Sequence, residues 1–378
     1  MKKKTRLLIA FAIFVALLSA LLLSGAEYPP PYVAMPAVYG GLLAGNLLTQ
    51  SALTLLGRPA GLVPTGYGLG VGRMVRVRRL GGAPLALRSV PLPLVVCARL
   101  LVPAPRPRAW AAVTAAYVPA LVLGGWLVAA TRGGWQLFGL MTAGLPLLEV
   151  ALQSRFPGCP GWVVLRLPTA SPALLAEAYA SPAQLAAARA LLDGRPADAV
   201  AALAAEPAGG TLSGDVLRVR ALLAAGAWEE ALERAGRIVP AAPVAHLGWA
   251  ADLARAEALV CAADAGLLPP ADYLPRLAAL TSAFEDHTRR TPVRADLLRL
   301  RGEREAAVKA ADRAVGPQLD LLSVAGAECS LAAALLAAGR PEQAARALDR
   351  ARRLSPGLAR IALVERRAAA VVLEGPAA

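Results

Sequence analysis

Asn46, Thr49, Gln50 and Thr54 are the first residues whose types and spacing suggest chemistry, because they interrupt a long apolar stretch. Their helical spacing puts them on one face with Gly41 and Gly45. That glycine pair has the G-x-x-x-G spacing that lets a second helix backbone approach closely. Polar groups in an apolar layer are costly unless paired, so this face is expected to look inward. It serves either as a hydrogen-bonded packing seam or as a path for a substrate or solute. Further along, Glu149 stands near the end of another apolar run and is expected to snorkel or to pair with Arg155. Cys97 and Cys159 are the nearest thiols. The only two histidines, His246 and His287, lie far from these residues and have no ligand-spaced partner. The four cysteines show no C-x-x-C spacing. Neither a metal set nor a disulfide framework is expected, and no cofactor is implied.

The elements that position these residues follow from hydropathy and charge. The chain has 378 residues, 57% hydrophobic and 17% charged, with a formal net charge of +14. The apolar share exceeds the soluble average of about 45–50%, which excludes disorder for the chain as a whole. Residues 1–155 carry 15 Lys and Arg against 2 acids, and the remainder carries 25 against 24. The first part also holds every long apolar run. Helices long enough to span a bilayer are expected at about 7–25, 32–56, 110–131 and 135–152. The first could instead be a cleaved signal peptide. Val90–Val102 is short and broken by Pro93 and Arg99, so it reads as interfacial or re-entrant.

Between the second and third spans, residues 57–109 contain nine arginines and no acid. The positive-inside rule places this loop and both termini in the cytoplasm. Val75 and Val77 alternate with Arg76 and Arg78 ahead of Gly81-Gly82, a β-hairpin pattern, and Arg73, Arg76, Arg78 and Arg79 are expected to rest on anionic lipid headgroups. Nucleic-acid binding is not expected, because no aromatic residues are interleaved for stacking. The glycines of 66–73 do not fit a phosphate loop, since no Lys-Ser/Thr follows them.

Residues 156–181 are rich in Pro, Gly and Ser and read as a linker. From 182 to 378 the chain becomes Ala-, Leu- and Arg-rich and repeats a helix–Gly–helix template, with turns at Gly194, Gly226, Gly266, Gly302 and Gly339. The intervals lie close to the 34 residues of tetratricopeptide repeats, which this part resembles. His246, His287, Cys261 and Cys329 find no catalytic constellation there. The charge runs near 229–237 and 346–353 read as exposed, self-paired helix faces.

The order of features in the first part is also suggestive. A polar-faced helix runs into ALTLLGRP, a glycine-alternating strand with an arginine hairpin ends in ALRSVPL, and a final helix closes with PGCPGWVVLRL. Over roughly residues 32–167 this resembles the site-2 protease family of intramembrane zinc metallopeptidases. The resemblance implies two zinc-binding histidines at Gly45 and Thr49, a general-base glutamate at Asn46 and a zinc-binding aspartate at Pro160. None of these four residues supplies that chemistry. The expectation is therefore an all-α protein in the main. It has a four-helix membrane domain with a small β-hairpin, followed by a tetratricopeptide-like solenoid. It is expected to be non-catalytic and to recruit cytoplasmic proteins or peptides, with a second membrane protein as a further possible partner. The alternatives are an active zinc protease with an unconventional site on Glu149 and Cys159, or a solute transporter component. The composition, with 36 Arg against 4 Lys and much Ala, Gly and Pro, points to a GC-biased bacterial genome, so the membrane is expected to be the bacterial inner membrane.

Overall fold

The computed structural model describes residues 29–80, 83–206, 210–283, 285, 291–316 and 320–374. The expected first span at 7–25, the Gly81-Gly82 turn and His287 lie outside them. The described chain is predominantly helical, with sixteen α-helices and one two-stranded sheet. It divides into two compact units. The first holds the residues up to Gly70 together with Leu92–Tyr179, and the second holds Val71–Pro91 with the chain from Ala180 onward.

In the first unit, α1 (Pro31–Gly57), α2 (Arg106–Ala130) and α3 (Gly133–Gln153) pack against one another. Proline at the first turn starts α1 and α2, where a missing N–H costs nothing. The two-residue connection after α2 forces α3 to return alongside it. The side chains are arranged in reverse of an ordinary amphipathic bundle. Tyr32, Met35, Leu55, Val122, Trp126 and Trp135 face outward, while Asn46, Thr49, Gln50, Gln136 and Thr142 are buried. Among the described residues, α2 and α3 are long and apolar enough to cross a bilayer. The helix expected at 32–56 forms, with 27 residues, but does not reach that hydropathy.

The hairpin extends well beyond the expected turn. Strand β1 covers Leu62–Leu80 and β2 covers Ala83–Leu101, so Val90–Val102 is a returning strand rather than a re-entrant segment. Its base belongs to the first unit, where the Val102 N–H donates to the Gly61 carbonyl at 2.8 Å. Leu101 also forms a parallel bridge with Tyr179. The expected linker is folded. Helices α4 (Pro160–Arg166) and α5 (Pro172–Ala178), with the 3-10 turn Leu167–Thr169 between them, bury Trp162, Val163, Leu167 and Leu175 against Leu53, Val113 and Tyr117. Four large apolar side chains outweigh the turn-forming residues around them.

In the second unit, helices follow one another as hairpins. The pairs are α6 (Pro182–Leu192) with α7 (Pro196–Ala204), α8 (Leu212–Ala225) with α9 (Trp228–Arg237), and α10 (Gly248–Asp264) with α11 (Pro270–Ala283). Next come α12 (Pro292–Leu300) with α13 (Arg304–Val315), α14 (Leu321–Ala337) with α15 (Pro341–Leu354), and finally α16 (Ala359–Glu374). Gly194, Gly226, Gly266, Gly302 and Gly339 each stand between the two helices of a pair, with φ between 70° and 85°. A residue with a Cβ is strained in that left-handed conformation, so glycine lets each helix stop and the next begin at once. Helix α14 is buried on all sides and forms the centre of the core, which an apolar helix without a polar face requires.

Candidate functional site

The polar seam of the first unit closes largely on itself. Gly41 and Gly45 bring α1 against the α3 backbone, where a Cβ on Gly45 would lie 3.1 Å from the Thr142 Cα and collide with its carbonyl oxygen. No side chain of any size can project there. The Thr142 hydroxyl donates to Phe138 O at 2.9 Å and sits 3.2 Å from Gly41 O. One turn further, the Gln50 amide donates to the Glu149 carboxylate at 3.1 Å. Glu149 also accepts from Gln153 at 2.8 Å. The Gln153 side-chain oxygen in turn accepts from the Gly161 N–H at 3.2 Å, which ties this chain to the start of α4 beside Pro160.

Arg99, which sequence reasoning counted only among the topology arginines, completes the seam. From β2 it donates to the Gln50 side-chain oxygen at 2.9 Å, the Gln50 backbone oxygen at 3.3 Å and the Thr54 hydroxyl at 3.4 Å. Its position inside an otherwise apolar run was the signal that could have found it. The buried hydroxyls of Thr49 and Tyr117 have no hydrogen-bond partner among the described residues. Cys159 lies beside Glu149, and burial followed by that carboxylate pushes its thiol up to about 11, so it stays protonated at neutral pH. No group of three or more His, Cys, Asp or Glu side chains is arranged to hold a metal ion among the described residues.

Arginines of the hairpin tip belong to the second unit and have carboxylate partners there. Arg73 pairs with Asp312, and Arg79 pairs with Asp193 at 2.7 Å. Asp312 lies in α13, and Asp193 caps the end of α6. Arg76 and Arg78 are exposed. Arg88 anchors the tip more deeply, donating to the carbonyls of Gly72 at 2.9 Å and Gly316 at 2.8 Å.

The second unit also contains a buried charge network that no motif announced. Asp264 of α10 accepts from Arg299 of α12 at 2.7 Å and pairs with Arg367 of α16 at 2.8 Å. Asp296 accepts from Arg360 at 2.9 Å and from the Ser330 hydroxyl at 2.7 Å. Burial alone would raise the Asp264 carboxyl, but Arg299, Arg360 and Arg367 together hold it below the usual carboxylate range. Next to this network lies a cavity of about 330 Å³ lined from α8, α10, α12, α14 and α16. Its charged residues are Arg220, Glu257, Asp296 and Arg360, set among apolar ones including Leu223, Leu253, Leu322 and Trp249. His246 lies in the turn before α10 and does not line it.

Compared with known protein-family models, curated proteins and solved structures, the chain matches none of them.

Proposed function

We propose that the protein is a membrane-embedded, non-catalytic adaptor. Its α1–α3 bundle holds it in the bilayer of a bacterial cell, and its helical array, tetratricopeptide-like in repeat length and turns, binds a cytoplasmic protein. The observation that carries this reading is a contrast between the two units. The bundle spends most of its polar groups on one another, whereas the array keeps a lined cavity with a carboxylate that no hydrogen bond or ion pair holds among the described residues. The outward Tyr32, Val122, Trp126 and Trp135 support lipid as the surroundings of the bundle, since so large an exposed apolar surface is unusual in water. The likeness to site-2 proteases fits as a silent relative. Gly45, Asn46, Thr49 and Pro160 do not make a zinc site, and α3 fills the space that a histidine at position 45 would need. No step through zinc is therefore drawn.

The test uses the full chain in native membranes, with a photo-crosslinking residue at Leu253. The protein should resist alkaline carbonate extraction and form one discrete adduct with another protein. Release by carbonate overturns the membrane reading. One zinc per chain, lost on replacing Glu149 or Cys159, overturns the non-catalytic one.

The unpartnered hydroxyls of Thr49 and Tyr117 favour a second reading, a hydrated solute path along the seam. That path predicts solute flux abolished by Asn46→Leu; a packing seam loses only stability.

A further inference from the structure

Glu257 is the unexplained group in the array. Every other charge lining the cavity is engaged. Arg220 donates to Asp320 at 3.2 Å and to the Ser323 hydroxyl at 2.7 Å. Asp296 accepts from Ser330 and Arg360, and Arg360 also donates to Ser330 at 2.8 Å. No hydrogen bond or ion pair holds Glu257 among the described residues. Burial raises its carboxyl above the ordinary value, with Arg220 and Arg360 acting against that rise. A carboxylate half-buried among apolar side chains, influenced by Arg220 and Arg360 but hydrogen-bonded to neither, is an energetic cost to the folded chain, and that cost falls when a cation arrives in direct contact.

The cavity also limits what can bring that cation. At about 330 Å³ it lies at the lower end of the range for binding sites, and most of its wall is apolar. A hydrated metal ion would leave those walls uncovered. A lysine side chain presents a compact ammonium on a four-carbon apolar stem, and a neighbouring apolar residue fills the rest.

We infer that this cavity takes a lysine side chain and an adjacent apolar side chain of the partner polypeptide, with the ammonium set against Glu257 and the apolar groups against Leu223, Leu253, Leu322 and Trp249. The inference deepens the adaptor reading and rests on it.

The experiment is calorimetric titration of the full-length protein in detergent with two blocked pentapeptides, acetyl-Ala-Leu-Lys-Leu-Ala-amide and the same peptide with norleucine for lysine. The lysine peptide should bind about tenfold or more tightly than its apolar twin, as a charge-assisted hydrogen bond supplies. Glu257→Gln should erase the difference while retaining the melting temperature, since glutamine keeps the shape and removes a strained charge. Leu253→Ala should weaken both peptides alike. Equal binding of the two peptides, no binding of either, or discrimination that survives Glu257→Gln overturns the inference. A protein that crosslinks a partner but ignores lysine fails here alone. One that discriminates lysine but crosslinks nothing fails as an adaptor alone.

Discussion

Gly45 of α1 meets the backbone of Thr142 of α3 so closely that a single added methyl would strike the carbonyl oxygen. Gly41 makes the same approach to Phe138 one turn earlier. Two helices thus touch backbone to backbone, and Thr142 uses that closeness to place its hydroxyl against Gly41 O. Without the approach, the seam below it would lose its alignment.

Gly45→Val should therefore separate α1 from α3. Overpacking a closed interface costs about 1–3 kcal/mol, and here the obstruction is backbone, which cannot rotate away. Gly125→Ala is the control, because nothing lies within 4 Å of a Cβ at that position. Thermal melts in detergent should show a marked loss for the first and none for the second. Equal melts would show that the close contact contributes nothing.

Gln50 stands between a cation and an anion, accepting from Arg99 and donating to Glu149. Gln50→Leu leaves both charged groups short of a partner, a penalty of about 1–3 kcal/mol or more. Glu149→Gln keeps an acceptor for both Gln50 and Gln153 and should cost less. The expected order of stability is native, then Glu149→Gln, then Gln50→Leu, read from melting midpoints in one detergent. The reverse order would place the weight of the seam on the charge of Glu149 instead.

Different parts of this architecture were legible in the sequence for different reasons. Helical turns at the five repeat glycines could be read because a left-handed residue between two apolar helices demands glycine locally. The inward face of α1 could be read because Asn46, Thr49 and Gln50 recur at helical spacing. The partners of Arg99 could not, since they lie 45 and 49 residues away, and its apolar neighbours in sequence mark it as unusual without saying what it meets. The Asp264 network was hidden for the same reason, as its members come from α10, α12, α14 and α16. Residues 156–181 looked like a linker because composition weighs Pro and Gly heavily. It cannot show that Trp162 and Leu167 will find Leu53 and Tyr117 to pack upon.

The Asp264 network sets a pH dependence. Its carboxyl is held below the usual range in the folded state, so the folded chain binds fewer protons there than the unfolded chain. The stabilisation is complete above the unfolded value of about 3.9 and is lost as pH falls through the lower folded value. Asp320 behaves alike, held down by Arg220 and Ser323 against the burial that would raise it. Denaturant unfolding followed by the signal of the array should show stability falling steeply below about pH 4. Asp264→Ala leaves Arg299 with only the longer 3.4 Å contact to Asp296 and should cost about 3–5 kcal/mol at neutral pH while flattening the acid limb. An acid limb that keeps its slope would assign the sensitivity elsewhere.

Arg88 and the outer arginines of the hairpin should separate by experiment. Arg73 and Arg79 form exposed ion pairs, which contribute about 0–1 kcal/mol and weaken with salt. Arg88 instead donates to two backbone carbonyls from a half-buried position, and burial lowers the pKa of its guanidinium. Removing it leaves Gly316 O and Gly72 O without that donor and frees the tip from the array. Trypsin reports the difference, because Arg76 and Arg78 are exposed but strand backbone resists cleavage until it opens. Arg88→Ala should speed clipping at those two sites about tenfold, the equivalent of losing about 1.4 kcal/mol of local closure. Arg73→Ala combined with Arg79→Ala should change it far less, and added salt should bring the native chain no further than that double variant. If the double variant clips as fast as Arg88→Ala, the surface ion pairs hold the tip, and the buried guanidinium only fills space.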